Sequence, residues 1–240
     1  MVFSPRGERL AGGGIGGVWL WDVATRPRAP DVLDAPTDGV SSVVFSPGGE
    51  LLAGVGGNGV QLWDVKARAR VDLVGPTGGV SSVVFSPGGE LLAGVGGGSL
   101  WLWDVKTRAR VDLVGPTGGV SSVVFSPGGE SLAGVGGGGV WLWDVKARSL
   151  DRARSTPGVW WMAFSPRGEL LATVGVGGVW LWDLKAGPRV DLAGSTVGVL
   201  SVVFSPRGEL LVGVGDGEVW LWDTATHGLI SHSEVLLVGV

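Results

Sequence analysis

The chain has 240 residues, a formal net charge of −4, 46 glycines, 13 tryptophans and neither cysteine nor tyrosine. So small a charge argues against both an acidic disordered chain and a basic nucleic-acid binder, and the lack of cysteine excludes disulfide staples, a thiol nucleophile and a thiolate metal site. Mean hydropathy is +0.37, yet no uncharged apolar stretch reaches the ~18 residues of a spanning helix, and Arg6, Glu8 and Arg9 stand where a secretory leader would be apolar; a cytoplasmic protein without membrane contact is expected.

Phe-Ser-Pro-x-Gly recurs at Phe3, Phe45, Phe85, Phe125, Phe164 and Phe204. Each copy is followed by a Trp-Asp pair with the Trp 18 residues on: Trp21-Asp22, Trp63-Asp64, Trp103-Asp104, Trp143-Asp144, Trp182-Asp183 and Trp222-Asp223. The copies start 42, 40, 40, 39 and 40 residues apart, a period typical of one supersecondary unit that must stack on its neighbours to bury a face. The register divides the chain into units near 1–34, 35–74, 75–114, 115–153, 154–193 and 194–233, with a tail 234–240. It leaves no room for a linker, so one domain over residues 1–240 is expected.

In the third unit, 80–85 is a β-branched run ended by the turn Ser86-Pro87-Gly88-Gly89. Residues 91–95 predict a second strand, 96–99 a turn, 100–103 a third strand closed by Asp104, and 109–114 a polar–apolar alternation suited to a half-exposed fourth strand. No unit carries a helical period. Six units of four short antiparallel strands predict an all-β chain of radial blades, which leaves only short protected edges.

The pattern Gly-x-x-x-x-Val-x-x-Val-x-Phe-Ser-Pro-x-Gly-x-x-Leu-Ala-x-Gly, a short turn, then Val-x-Leu-Trp-Asp resembles the WD40 repeat over essentially residues 1–228. The resemblance implies a WD40-like β-propeller of six four-stranded blades, the first strand innermost, used as a rigid scaffold to hold other proteins together. Seven blades are common in that family, so an incomplete or open seam is the leading variant; the tail 234–240 echoes the second-strand sequence 209–214.

Several departures from the family pattern have physical consequences. Its usual His before the inner strand is replaced by Pro36, Pro76 and Pro116 and then Ser155 and Ser195, and its turn Asp survives only as Asp216. The side-chain network that would engage the signature Trp is therefore largely missing, and the indole N–H becomes the main donor left to satisfy. Aromatic area is the expected compensation: Trp19, Trp101, Trp141, Trp180 and Trp220 lie two residues before the signature Trp and on the same strand face, with Gln61 in that place in the second unit. In the fifth unit Trp160-Trp161-Met162 replaces Ser-Ser-Val, and strict alternation would pack one Trp and expose the other.

The rim formed by the first and third turns interleaves Glu50, Glu90, Glu130, Glu169 and Glu209 with Lys66, Arg68, Lys106, Arg108, Lys146 and Arg148, giving no single-sign patch. The opposite rim is nearly uncharged, and its departures supply the candidate protein-binding residues: Thr37, Asp38, Arg154, Trp160, Asp216 and Glu218. No base stands beside a nucleophile. The only two histidines, His227 and His232, fall in the final 14 residues, and with Asp223 they make a poor metal set; six equivalent Asp residues point instead to local turn hydrogen bonds. The expected function is a non-catalytic, cofactor-free scaffold for a protein partner, monomeric unless an open seam pairs and with no affinity for nucleic acid. The alternative is an incomplete or auxiliary segment of a larger WD40 protein with no independent binding site.

Overall fold

The Phe-Ser-Pro-x-Gly phrase builds a turn because one serine closes it twice. The Ser86 carbonyl accepts the Gly89 N–H at 2.9 Å, and its Oγ accepts the Leu91 N–H at 3.0 Å. Ser4, Ser46, Ser126, Ser165 and Ser205 repeat both bonds. A short polar side chain here replaces a ladder bond that the tight turn cannot supply.

The computed structural model describes residues 1–25, 29–33, 39–57, 59–71, 73, 79–111, 113, 119–136, 138–154, 158–185, 189–192 and 198–234. Among them, 24 strands form six four-stranded antiparallel sheets, each in simple meander order. The first comprises β1 (Val2–Phe3), β2 (Arg9–Gly14), β3 (Gly17–Asp22) and β4 (Asp31–Leu33), and the second β5 (Val40–Phe45), β6 (Leu51–Gly56), β7 (Gly59–Asp64) and β8 (Ala69–Val71). The third holds β9 (Ser82–Phe85), β10 (Leu91–Gly96), β11 (Ser99–Asp104) and β12 (Arg110–Val111), and the fourth β13 (Val120–Phe125), β14 (Ser131–Gly136), β15 (Gly139–Asp144) and β16 (Ser149–Arg154). The fifth is β17 (Val159–Phe164), β18 (Leu170–Gly175), β19 (Gly178–Asp183) and β20 (Arg189–Asp191), and the sixth β21 (Ser201–Phe204), β22 (Leu210–Gly215), β23 (Glu218–Asp223) and β24 (Leu229–Glu234). Glu234, the first residue of the expected tail, thus ends a fourth strand; residues 235–240 lie outside the described residues. The chain divides into two compact units, Met1–Phe125 with Ala147–Ser149, and Ser126–Lys146 with Leu150–Val240.

Cross-strand register gives each sheet two chemically different faces. Phe85, Leu92 and Trp103 stand opposite one another on one face of the third sheet, while Val84, Ala93, Leu102 and Val111 share the other. In the first unit the tryptophan face of the third sheet, with Val80, Phe85, Leu92 and Trp103, gathers with Ala53, Val55, Val60 and Leu62 of the second sheet. Val43, Phe45, Leu52 and Trp63 of the second sheet gather likewise with Ala11, Val18, Leu20 and Leu33 of the first. In the second unit, Phe204, Leu211, Trp220 and Trp222 of the sixth sheet meet Ala172, Val174, Val179 and Leu181 of the fifth. The interface is one joint repeated: a broad aromatic face lies on a face of small and branched aliphatics, and knobs of unequal size interdigitate better than two tryptophan faces would.

Glycine makes room for the signature ring. A Cβ on Gly94 would lie 2.9 Å from Trp103 Cζ3, and one on Gly213 would lie 2.8 Å from Trp222 Cζ3, so these indoles rest directly on bare backbone. The fifth sheet differs, having Thr173 at the equivalent position. There Trp182 Nε1 donates to Thr173 Oγ1 at 2.8 Å, in a buried bond. The indole nitrogens of Trp103, Trp143 and Trp220 are buried with no acceptor among the described residues, and the Gln61 Oε1 acceptor is buried with no donor. Glycine gives closer stacking and threonine gives a satisfied donor.

Trp103 is fully buried, and Trp103→Ala is expected to lower unfolding free energy by about 3–5 kcal/mol, through lost transfer energy and a residual cavity. Thr173→Val keeps the shape but removes this bond to the Trp182 donor, and is expected to cost about 1–3 kcal/mol. Denaturant titration of both variants checks these values; a Thr173→Val effect near zero would show that the bond contributes nothing net.

Candidate functional site

In the fifth sheet the first strand, β17, does not alternate. Val159 pairs with Gly175 and Trp161 with Val174, so a bulge at Trp160 interrupts the register. Trp160 and Trp161 are therefore both exposed, at 43% and 44%, which corrects the expectation of one packed and one exposed ring. An extra residue in a bulged strand turns consecutive side chains toward one side; β5 has the same shift between Val40 and Ser42, where Ser41 and Ser42 are likewise both exposed.

Both rings are held in place. Trp160 Nε1 donates to the Leu200 carbonyl at 3.1 Å and Trp161 Nε1 to the Val202 carbonyl at 3.0 Å, so each is tied to the inner stretch of the sixth sheet. Leu200 is itself exposed, as is Val176 in the turn between β18 and β19. Val176 lies over Gly158, just before β17, where an added Cβ would meet its Cγ2. Trp160, Trp161, Val176 and Leu200 are thus exposed apolar residues at adjoining positions of the fifth and sixth sheets, within the second unit.

Acidic groups stand at the same end of the sixth sheet. Asp216 occupies the β22–β23 turn with φ +46°, and its carboxylate lies over Gly198, two residues before Leu200. Glu218 opens β23 and pairs with His232 Nε2 at 3.1 Å, while the His232 ring stacks on Trp220 with centroids 5.0 Å apart and planes 12° from parallel. Among the sequence candidates the structure thus brings Trp160 to the Leu200 carbonyl and Asp216 to Gly198, two residues before Leu200, with Glu218 two residues beyond Asp216. Arg154 ends β16, but its side chain is outside the described residues, as are Thr37 and Asp38 entirely.

Trp161, Val176 and Leu200 were absent from that candidate set. A signal existed: Val176 interrupts a glycine turn, and Leu200 replaces the first Ser of Val-Ser-Ser. These irregularities concentrate in the fifth and sixth copies, but only the fold shows Val176 over Gly158 and the Trp160 indole bound to the Leu200 carbonyl.

The signature aspartates serve the opposite end of the sheets. Asp64, Asp104 and Asp223 accept the N–H three residues on, from Ala67, Thr107 and Thr226, at 2.6–2.7 Å, and Asp22 accepts that of Thr25 at 2.9 Å. Asp183 takes the Lys185 N–H instead, at 2.8 Å. Arg68, Arg108 and His227 in the turns after Asp64, Asp104 and Asp223, and Arg148 after Asp144, take up left-handed backbone conformations. Between the fifth and sixth sheets this end opens as a cleft of about 800 Å³ where Arg167, Lys185 and Arg207 alternate with Glu169, Asp183 and Glu209. The Lys185–Glu169 pair, 2.7 Å apart, holds the lysine pKa above and the carboxyl below their ordinary values. Among the described residues no three His, Asp or Glu side chains gather as a metal would require, and no helix is long and apolar enough to cross a membrane.

The repeat register, the alternating-face sheets and the aspartate turns together define the class. The chain belongs to the WD40 family (WD domain, G-beta repeat), whose pattern matches residues 30–64, 69–104, 108–144 and 188–223, more than half of the chain. The unmatched 145–187 contains the Trp160-Trp161 bulge and Thr173. A chain from the crystal structure of a mitotic checkpoint complex shares the fold with a TM-score of 0.70 and 23% identity, the match covering 94% of this chain and 72% of that one. No curated protein sequence matches.

The turn geometry predicts acid sensitivity. The Thr25, Thr107 and Thr226 backbone N–H groups hold the Asp22, Asp104 and Asp223 carboxyls below the ordinary range, aided by the threonine side chains. A carboxyl whose pKa is lower folded than unfolded contributes stability that is fully present above the unfolded pKa and is lost as pH falls through the folded one. The unfolding temperature is therefore expected to drop as pH falls through and below the ordinary carboxylate range. Thermal scans of an Asp104→Asn, Asp223→Asn double variant should show a shallower drop; an unchanged slope would assign the acid limb to other groups.

Proposed function

We propose that the chain is a non-catalytic WD40 scaffold that holds a protein partner at the apolar group around Trp160, its six sheets serving as the blades of a single propeller that is incomplete or open at its seam. The observation that carries this reading is the exposed Trp160–Trp161 pair, tied by both indole nitrogens to a neighbouring strand while Trp63, Trp103, Trp143, Trp182 and Trp222 are buried. Tryptophan is the residue most often found to dominate binding energy at interfaces, and rings already held in place lose little further freedom when a partner arrives. The nearby Asp216 selects for a segment that carries a Lys or Arg beside its apolar anchor.

The catalytic inventory supports the same reading. The phrase serines are engaged in turns, the aspartates hold hairpins, and only two histidines exist. Interleaved charge disfavours a phosphate backbone, and the cysteine-free composition suits a cytoplasmic setting. A second reading, a segment of a larger WD40 protein with no site of its own, is favoured by the uncovered outer face of the sixth sheet, where Val203 and Val214 are exposed.

The test is the affinity of a captured partner for the wild type, Trp160→Ala and Asp216→Ala, each first shown to unfold at the wild-type temperature. Trp160→Ala is expected to weaken binding by about 30-fold or more, the loss typical of a dominant anchor, and Asp216→Ala by less. Unchanged affinity in both would move the contact to the charged end of the sheets, and no specific partner would favour the second reading. Retention on DNA at roughly 200 mM salt would refute the charge argument.

A further inference from the structure

The sixth sheet exposes a face that is covered wherever its counterparts are seen packed. Val203, Val212 and Leu221 stand opposite one another across three strands, with Val214 opposite Val219 beside them. The second sheet places Val44, Ala53 and Leu62, with Val55 and Val60, at the same positions, and the fifth sheet places Ala163, Ala172 and Leu181, with Val174 and Val179. Those two faces lie under the tryptophan faces of the third and sixth sheets. On the sixth sheet, by contrast, Val203 is 61% and Val214 44% exposed, and Val212, Val219 and Leu221 are only half-buried. Its outer strand adds Ser231 opposite Leu221 and Ser233 opposite Val219, and the carboxylate of the face, Asp223, stands at its far end opposite Leu210.

The matching half of the joint is uncovered on the first sheet. Phe3, Leu10 and Trp21 stand opposite one another there, with Trp19 on the same face. Phe3 is 61% exposed and the other three are half-buried. Their equivalents in the second sheet, Phe45, Leu52 and Trp63, are buried against the first sheet's aliphatic residues. One chain therefore presents an uncovered aliphatic face on its sixth sheet and an uncovered tryptophan face on its first.

We propose that the aliphatic face of the sixth sheet receives the tryptophan face of the first sheet of a second copy, joining chains head to tail. The occupant follows from the chain's own packing rule: in each described cluster an aliphatic face is covered by the Phe-Leu-Trp face of the next sheet, and among the described residues the first sheet holds that face uncovered. The contact would continue the interface that already repeats inside each unit. Because it joins two different surfaces it is heterologous, and each added copy leaves one face of each kind free.

That asymmetry supplies a direct test, using Val203→Glu to block the sixth-sheet face and Phe3→Glu to block the first-sheet face. Both residues are exposed, so the unfolding temperature of each variant is expected to match the monomeric wild type. In sedimentation velocity the wild-type mass should rise with concentration. Each variant alone should stay monomeric, because a charge buried in an apolar joint weakens it by about tenfold or more. An equimolar mixture should form a one-to-one dimer, since Phe3→Glu retains a free sixth-sheet face and Val203→Glu a free first-sheet face. A wild type that stays monomeric, or a mixture that does, overturns the proposal. Self-association abolished by Val203→Glu but retained by Phe3→Glu would show a symmetric contact and also overturn it. A monomeric wild type in which both substitutions lower the unfolding temperature would mean that the two faces cover each other within one chain.

Discussion

The seating of a tryptophan face on an aliphatic face is the interaction on which the rest depends. A four-stranded sheet of short strands cannot bury enough surface alone, and within each compact unit the sheets solve that by seating one face of a sheet on an unlike face of the next. Leu102 and Trp103 are adjacent in sequence yet lie on opposite faces of their sheet, because consecutive strand residues point to opposite sides. The joint needs only a large flat ring on one side and Ala, Val or Leu on the other. It therefore tolerates the loss of the polar network that the family commonly places around the signature Trp, at the cost of buried indole donors such as that of Trp103.

Glycine belongs to the same economy of space. Beneath Trp63, Trp103 and Trp222 a side chain would collide with the ring, so the residue that weakens a strand by entropy is the one that permits close stacking. Thr173 shows the alternative within the same molecule: the ring accepts a Cβ neighbour and gains a hydrogen bond. The two solutions exchange ring–backbone contact for donor satisfaction, and the fold accommodates both because the sheets themselves are unchanged.

The proposed contact lies where repetition breaks. A strictly repeated surface offers many equivalent and mutually competing contacts, whereas a bulge that presents two adjacent rings to solvent creates one distinguishable place. The bulge costs a ladder position, and the hydrogen bonds from Trp160 and Trp161 to the Leu200 and Val202 carbonyls recover donor satisfaction across the sheet boundary. Asp216 and Glu218 add charge at an end of the sheets that is otherwise nearly neutral.

The sequence by itself determined the repeat length, the four-strand unit and the WD40 family, since the spacing of Phe-Ser-Pro-x-Gly and Trp-Asp depends on local turn chemistry that each copy carries whole. It also pointed to turn roles for the aspartates, because six equivalent carboxylates cannot all be one active site. Only the tertiary structure decided what meets: that Trp103 lies over Gly94 and gathers with Ala53 of the preceding sheet, that Thr173 answers Trp182, and that the two exposed tryptophans reach the Leu200 and Val202 carbonyls. Alternation read from sequence assumes an unbroken ladder, and the bulge at Trp160 breaks it through pairing with β18, a partner that the strand's own residues do not encode. The uncovered faces of the first and sixth sheets were hidden for the same reason: residues of the same type at the same repeat position are core or surface according to whether another sheet lies on them.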